Sequence, residues 1–153
     1  MLVDTDVYSY LGKPSSQNAA LYLPHVEQKR VALSFVSVGE LYYGAYKNRW
    51  ASARLDDLTD RLRSVAIVPY DISVCKVYAD IRARLEVKGQ RIEDNDLWIA
   101  ACAIRHSIPL ISNNRKHFER VPDLPLISEA KAMSEIRAQM KIEDITNPDS
   151  FNL

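Results

Sequence analysis

Residues 94 to 111 read DNDLWIAACAIRHSIPLI, and this stretch places a helix directly before a strand. Its apolar residues follow the i, i+3, i+4, i+7 spacing of one helix face, and they are Leu97, Ala100, Ala101 and Ile104. The run at 109 to 111 is apolar without polar alternation, as expected for a strand that is buried on both faces of a parallel sheet. The stretch therefore predicts an amphipathic helix that leads into a buried parallel strand.

The same alternation continues through the rest of the chain. Further strand-length apolar runs occupy residues 1 to 3, 31 to 36, 65 to 70 and 124 to 127. Strands that alternate with helices predict an α/β fold, here a three-layer α/β/α sandwich with a central, mostly parallel sheet of about five strands. Ligands bind at the carboxyl ends of the strands in such sheets, so the chemistry is expected at that edge.

Helix limits are predicted from capping residues and apolar spacing. Three further helices are expected: one capped by Ser15 or Ser16 and running towards Glu27, one capped by Ser37 and running towards Tyr46, and one from near Ile72 that Gly89 ends. The apolar face of the third helix follows steps of four, three and four, and it consists of Val74, Tyr78, Ile81 and Leu85.

The length and composition fit one folded domain. The chain has 153 residues, of which 47% are apolar and 26% are charged, as in ordinary globular proteins. Beyond about residue 130 the alternation weakens and the sequence becomes polar. We predict one domain over residues 1 to 130, followed by a C-terminal helix and polar tail over 131 to 153 that is available to contact a partner.

Charge and cysteine usage exclude several classes of protein. Lys plus Arg equals Asp plus Glu at 20 each, so nucleic-acid binding would have to come from local basic patches. Cys75 and Cys102 form no Cys-x-x-Cys pair, and the three histidines lack the spacing of a zinc site. The absence of a signal-peptide pattern and of a long apolar run favours a protein of the reducing cytoplasm, with no membrane contact.

Three acidic residues follow strands or open helices. Asp4 directly follows the first apolar run, Glu40 lies shortly after the second, and Asp96 opens the helix of the 94 to 111 stretch. At one edge of the sheet these residues would form a carboxylate cluster. Clustered carboxylates repel one another and favour a bound cation, and an all-oxygen set suits Mg²⁺ or Mn²⁺.

Each acid also has a purely structural interpretation. Asp4 can cap the first helix, and Asp96 can complement the dipole of its helix. Ser37 and Glu40 fit the capping box, in which a serine and a glutamate three residues later bond each other's backbone amides. On the residues alone, both interpretations stay open.

Three segments resemble the PIN domain family of nucleases, and they are most similar to the VapC toxins of prokaryotic toxin–antitoxin pairs. The three segments are LVDTDV at 2 to 7, SVGELYYGA at 37 to 45, and IEDNDLWIAACAIRHSIPLISNNRKHFERVPDL at 92 to 124. Their order and spacing cover the chain from residue 1 to about 128. The resemblance implies a PIN-like fold and an endoribonuclease that hydrolyses RNA phosphodiester bonds with the help of Mg²⁺ or Mn²⁺.

The resemblance also implies roles for individual residues. Asp4, Glu40 and Asp96 would hold the metal ion and form the catalytic set, with Thr5 as a supporting hydroxyl. Asp6 stands where the family usually has asparagine, and it could add charge at the site or cap the helix. The family's fourth acid is missing from SNNRKHF at 112 to 118, where Asn114, which we include in the catalytic set, or His117 occupies its place.

A nuclease with an anionic site needs basic flanks to hold phosphates. The candidates for RNA binding are Arg82, Arg84, Lys88, Arg91, Arg115 and Lys116, although each could simply belong to a solvated helix face. Four aromatic residues lie close together in the sequence: Tyr42, Tyr43, Tyr46 and Trp50. They could stack on RNA bases, or they could pack against the core or a partner.

The resemblance implies two protein partners, a second copy of the chain in a homodimer and a small VapB-like antitoxin that covers the site. One rival hypothesis is a PIN-fold module that binds RNA or protein without cleaving. A second is a phosphatase of the aspartyl-phosphate type, since Asp4-Thr5-Asp6 fits an Asp-x-Asp arrangement. That phosphatase chemistry leaves no role for the segments around Glu40 and Asp96.

Overall fold

The central strand of the sheet is the first one in the sequence. In the computed structural model, which describes residues 1–13 and 15–130, five short strands form one sheet in the order β3-β2-β1-β4-β5, and all neighbours are parallel. The strands are β1 (Leu2–Val3), β2 (Ala32–Ser34), β3 (Ala66–Val68), β4 (Leu110–Ile111) and β5 (Leu126–Ile127). All five predicted strands are confirmed, each within its apolar run and shorter than it.

Helices cover both faces of this sheet. The helices of the described residues are α1 (Thr5–Leu11), α2 (Gln17–Val26), α3 (Phe35–Lys47), α4 (Ser52–Arg63), α5 (Ile72–Val87), α6 (Asp94–Arg105) and α7 (Arg115–Phe118). Leu2 of β1 packs into a buried cluster with residues of α5, α6 and α7, whereas Val3 packs into a second cluster with residues of α1 to α4. Successive strand residues point to opposite faces, so the two clusters lie on opposite sides of the sheet. The predicted three-layer α/β/α sandwich is confirmed.

The start of α3 differs from the predicted one. Ser34, rather than Ser37, is the N-cap, and its hydroxyl accepts the backbone N–H of Ser37 at 2.9 Å. β2 continues to Ser34, which pairs in register with Val68, so the helix starts directly where the strand ends. Glu40 therefore lies in the second helical turn, and its assignment to a capping box with Ser37 is wrong.

Other predicted helix limits hold. Ser16 is the N-cap residue of α2, which ends at Val26, although its side chain makes no capping hydrogen bond. In α5 the predicted C-terminal glycine is confirmed, because Gly89 follows the helix with φ +64°, a conformation that glycine adopts without strain. The cap at the other end, Asp71, was not predicted; its carboxylate accepts the N–H of Val74 at 2.7 Å.

Helix α4 was not predicted, although Leu58 and Leu62 bury one of its faces. The predicted C-terminal helix and tail at 131 to 153 lie outside the described residues, so the domain limit at residue 130 stays a prediction. Within the described residues, none of the helices combines the length and the apolar character that a membrane span requires.

Candidate active site

Asp4 lies between the central strand and the first helix. β1 ends at Val3, and Asp4 is the N-cap of α1, where its Oδ1 accepts the N–H of Thr5 at 2.7 Å. Its Oδ2 accepts the hydroxyl of Ser112, which follows β4, at 2.6 Å. The carboxylate thus bridges the carboxyl ends of β1 and β4, where the strand order reverses and parallel sheets bind ligands. Asp4 is both a helix cap and a residue of this edge.

Glu40 reaches the same region from the second turn of α3. Its Oε2 accepts the hydroxyl of Thr5, and its Oε1 accepts a side-chain N–H of Asn95 at 2.7 Å. Thr5 was predicted as a supporting hydroxyl beside Asp4; its backbone N–H bonds Asp4, but its hydroxyl bonds Glu40. A single threonine hydroxyl therefore connects the start of α1, which Asp4 caps, to the helix that carries Glu40.

Asp96 lies in the first turn of α6, opposite the segment in which the fourth acid is missing. Its Oδ2 is 2.6 Å from Nδ1 of His117 and accepts an N–H of the Asn114 side chain at 3.1 Å. Asn114 and His117 also contact each other at 2.9 Å. Both residues considered for the fourth position therefore contact Asp96. They offer it the amide nitrogen of Asn114 and the imidazole nitrogen of His117, where a fourth carboxylate would place negative charge.

The acids interact electrostatically, and we refer to Asp4, Asp6, Glu40 and Asp96 as the acid cluster. Burial, followed by the charge of Asp6, raises the pKa of Asp4 from 3.8 to about 7; Asp4 is 5% exposed. Burial also raises the pKa of Asp96, and the negative charges of Glu93 and Glu40 add to this effect. The pKa of Asp6 is raised by burial and by the charge of Asp96. Asp6 thus adds negative charge to the cluster.

The raised pKa of Asp4 should make the stability of the metal-free protein depend on pH. The folded chain holds the proton of Asp4 more tightly than the unfolded chain does. The stabilisation that this proton gives the folded state is therefore fully present below about pH 4 and is lost as the pH rises through about 7. In urea denaturation with EDTA, we expect the ionisation of Asp4 between about pH 4 and 7 to lower the free energy of unfolding by on the order of a few kcal/mol. Asp4→Asn, which cannot ionise, should flatten the dependence. The same pH dependence in both proteins would contradict the prediction.

The donor chemistry of the cluster fits a hard divalent cation. Carboxylate oxygens are the ligands that Mg²⁺ and Mn²⁺ prefer, and a cation would offset the repulsion and burial that raise these pKa values. As placed in residues 1–13 and 15–130, no three His, Cys, Asp or Glu side chains meet closely enough to hold a metal ion together. The carboxylates are bonded to Ser112, Thr5, Asn95 and His117 instead. Their convergence on one ion stays a prediction.

Two of the basic residues proposed for RNA binding are engaged by carboxylates. Arg82 pairs with Asp94 at 2.8 Å and with Glu86 at 3.1 Å. Arg84 pairs with Asp123 at 2.7 Å and with Asp80 at 3.4 Å. These partners offset the positive charge that a phosphate would meet, so the two arginines are weaker candidates than the sequence indicated.

The other basic candidates differ from one another. Arg115 lies 3.6 Å from Glu119 and also donates to the carbonyl of Ala130 at 3.3 Å. Lys88, Arg91 and Lys116 make no ion pair with any carboxylate of residues 1–13 and 15–130, and their role in RNA binding stays a prediction.

The aromatic residues of α3 and its end divide into two groups. Tyr42 packs against the core and exchanges a hydrogen bond with Thr59 at 2.9 Å, and Trp50 packs there too. Tyr43 and Tyr46 are 65% and 66% exposed. Only the second pair keeps an open surface for a ligand or partner.

Two residues of the site were not predicted. Ser112 bonds Asp4, and Asn95 bonds Glu40. A signal for Ser112 was present in its position directly after the strand of residues 109 to 111, at the edge where ligands bind. Asn95 lies between two acids of the 94 to 111 stretch, and nothing in the sequence indicates its distant partner.

The chain matches known proteins over most of its length. The sequence profile of the PIN domain family matches residues 1–124. Ribonuclease VapC2 of Rickettsia felis is 32% identical over 127 residues, which cover 82% of this chain and 94% of that protein. Ribonuclease VapC2 of Haemophilus influenzae is 35% identical over 92 residues, covering 60% of this chain and 70% of that protein.

A solved structure supports the same relationship. One chain of VapBC2 from Rickettsia felis, crystallised with a DNA fragment of the promoter, matches with a TM-score of 0.69 and 29% identity, over 83% of this chain and 96% of that chain. The profile, the sequence identity and the parallel five-stranded sheet agree. The chain belongs to the PIN domain family, among the VapC proteins.

Proposed function

We propose that the protein is a metal-dependent endoribonuclease that hydrolyses RNA phosphodiester bonds at the acid cluster. The observation that carries the proposal is that Asp4, Glu40 and Asp96 come from three separate elements and still interact electrostatically, since the charge of Asp96 raises the pKa of Asp4 and the charge of Glu40 raises the pKa of Asp96. The matched relatives from Rickettsia felis and Haemophilus influenzae are both named ribonucleases, which agrees with this chemistry. Nothing in the comparisons favours a PIN-fold module that binds without cleaving.

Asp4, Glu40 and Asp96 are the residues that would hold a divalent ion, and Mg²⁺ or Mn²⁺ suits their oxygen donors. When bound, such an ion supplies a water of lowered pKa and neutralises phosphate charge. Asn114 contacts Asp96 and belongs to the proposed catalytic set, but a neutral amide adds no charge. Three metal-binding carboxylates, with a neutral amide in place of the family's fourth acid, favour one firmly held ion over two.

The surrounding residues orient these acids. Ser112 holds one oxygen of Asp4, Thr5 holds one oxygen of Glu40, and His117 contacts one oxygen of Asp96. Each hydrogen bond restricts the rotation of a carboxylate, so the acids are positioned before an ion or RNA arrives. These three residues act through the acids, and we propose them as positioning residues.

We further propose that a VapB-like antitoxin neutralises the protein in the cytoplasm and that the protein forms a homodimer. The matched Rickettsia felis structure is a VapBC assembly, which supports an antitoxin partner. We also propose residues 1 to 130 as the nuclease domain and the segment after it as a partner-contacting tail.

The test of the function is cleavage of total RNA by purified protein. We expect RNA to be cleaved with Mg²⁺ or Mn²⁺, to stay intact with EDTA, and to be cleaved again once Mg²⁺ is added in excess. Excess cognate antitoxin should stop cleavage. RNA that stays intact with both ions, or cleavage that EDTA does not affect, would contradict the proposal.

A further inference from the structure

A groove with a volume of about 480 Å³ opens beside the acid cluster, between α3 and α6. Its walls combine aromatic and polar groups, and they include Phe35, Gly39, Glu40, Tyr43, Asn95 and Trp98. The volume falls within the range of about 300–1,000 Å³ that is typical of pockets for small ligands or parts of larger ones.

The groove is continuous with the proposed site of cleavage. Asn95 donates to Oε1 of Glu40 at 2.7 Å, and this pair forms the wall that the groove shares with the acid cluster. The other oxygen of Glu40 accepts the Thr5 hydroxyl. A strand whose phosphate lies at the acids therefore has an adjacent nucleotide at the mouth of the groove.

The rest of the groove is lined by three aromatic residues together with Val36 and Gly39. Tyr78 stacks on Trp98 with a centroid distance of 4.0 Å and an angle of 12°, which fixes the orientation of the indole. The ring of Phe35 meets Trp98 edge-on at 6.2 Å. Tyr43 is exposed, and Nζ of Lys47 lies 5.6 Å from its ring centroid. Phe35 and Trp98 are half-buried, so the exposed aromatic face of the groove is that of Tyr43. An exposed aromatic face beside a positive charge is a usual means by which proteins hold single-stranded nucleic acid.

Gly39 keeps the groove open on the α3 side. A Cβ at this position would meet no atom within 4 Å, so packing does not require a glycine here. Glycine inside a helix costs about 1 kcal/mol relative to alanine. A side chain at residue 39 would instead occupy the groove. Gly44 has the same open surroundings but is not a groove residue, and it offers a matched control.

We propose that this groove binds an unpaired base of the RNA strand, next to the phosphodiester that the acids cleave. The proposal rests on the proposed function, because it places the phosphate of the same strand at the acid cluster. Aromatic walls hold the face of the base, and the Asn95 amide offers polar groups to its edge. Base stacking at this groove would make the enzyme prefer single-stranded RNA.

The experiment uses Trp98 as a reporter of binding. The chain has two tryptophans, and Trp50→Phe leaves Trp98 as the single indole. Short single-stranded oligoribonucleotides are added with Ca²⁺ in place of Mg²⁺, and the same lengths built from abasic residues serve as the second probe. We expect the base-containing strands to quench the fluorescence of Trp98 and the abasic strands, which carry the same charge, to leave it unchanged.

Two pairs of variants localise the effect. Gly39→Leu and Tyr43→Leu should each raise the Kd of the base-containing strands about tenfold, equivalent to about 1.4 kcal/mol. The controls Gly44→Leu and Tyr46→Leu lie on the same helix, and Tyr46 is as exposed as Tyr43, so they should change the Kd less than about twofold. Thermal unfolding is used to check that each variant is folded. If one of the two groove variants does not fold, the other still tests the proposal.

The proposal is overturned if the oligoribonucleotides do not quench Trp98, if abasic strands quench equally, or if the controls weaken binding as much as the groove variants. It is also overturned if the groove variants bind RNA normally but change the oligomeric state in light scattering, which would make the groove an interface between copies. Cleavage of total RNA by the wild-type protein in Mg²⁺ is measured in parallel. If the wild type cleaves RNA but the groove does not bind bases, only the groove proposal is overturned; if it does not cleave RNA, the proposed function is overturned as well.

Discussion

Asp96→Asn is expected to reduce metal-dependent RNA cleavage by on the order of a hundredfold or more, because a neutral amide is a poor ligand for a hard cation. The substitution nearly preserves the volume of the side chain, so the contacts with Asn114 and His117 can persist in part. Burial raises the pKa of Asp96, so losing its charge should not destabilise the fold strongly. Initial rates of cleavage and thermal unfolding of the same samples measure both effects.

Asp94→Asn is the matched control, because Asp94 lies in the same first turn of α6 and undergoes the same chemical change. Its carboxylate is 65% exposed and pairs with Arg82 at 2.8 Å, away from the contacts of Asp96. Exposed ion pairs contribute little to stability, so this variant should cleave RNA within about twofold of the wild-type rate. If Asp96 only complemented the helix dipole, both variants would retain cleavage and Asp96→Asn would lose about 0.3–1 kcal/mol of stability. That result would remove Asp96 from the catalytic set.

The parts of the fold that were predicted depend on local patterns. Each strand is a short apolar run, and Gly89 marks a helix end because a left-handed residue is needed there. The start of α3 was misplaced because Ser34 and Ser37 both precede apolar residues, and the choice between them depends on where β2 ends. That end is set by pairing with β3, which is distant in sequence.

Helix α4 shows a different limit. Its buried positions, Leu58 and Leu62, are four residues apart and fit one helix face, but they are surrounded by charged residues. Such a helix gains most of its stability from packing against the rest of the domain, so its own sequence gives a weak signal.

The sequence singled out the three acids and three of the residues that bond them, whereas Ser112 and Asn95 were not predicted. Asp4 directly follows β1 and Asp96 lies in the first turn of α6, and such positions can be recognised from the sequence. Glu40 lies in the second turn of α3, and the resemblance to the PIN family singled it out. Ser112 and Asp4 are 108 positions apart, and no local pattern identifies them as a pair. The same limit applies to Arg84, whose partner Asp123 is 39 positions away and offsets the charge expected to bind RNA.

Glu40→Gln is expected to reduce RNA cleavage by on the order of a hundredfold while leaving the fold stable, because glutamine keeps the length of the side chain and loses its charge. Glu40 lies in the second turn of α3 and does not cap the helix, so no cap is lost. Glutamine can still accept the Thr5 hydroxyl through its amide oxygen. Cleavage is compared with that of Glu86→Gln, an exposed glutamate of α5 that pairs with Arg82. Equal cleavage by Glu40→Gln and wild type in matched Mg²⁺ would exclude Glu40 from the metal site.

Thr5→Val extends the same prediction to a residue that acts through Glu40. Valine keeps the shape of threonine but cannot donate to the carboxylate, so cleavage should fall about 10–100-fold, as is typical when the partner of a metal ligand is removed. If Thr5 acts only by orienting Glu40, then Thr5→Val should have little further effect in the Glu40→Gln background, where the charged ligand is already lost. Titration of Mg²⁺ should show the loss in Thr5→Val mainly as a higher Mg²⁺ requirement. Additive losses in the double variant would instead mean that Thr5 contributes to cleavage independently of Glu40.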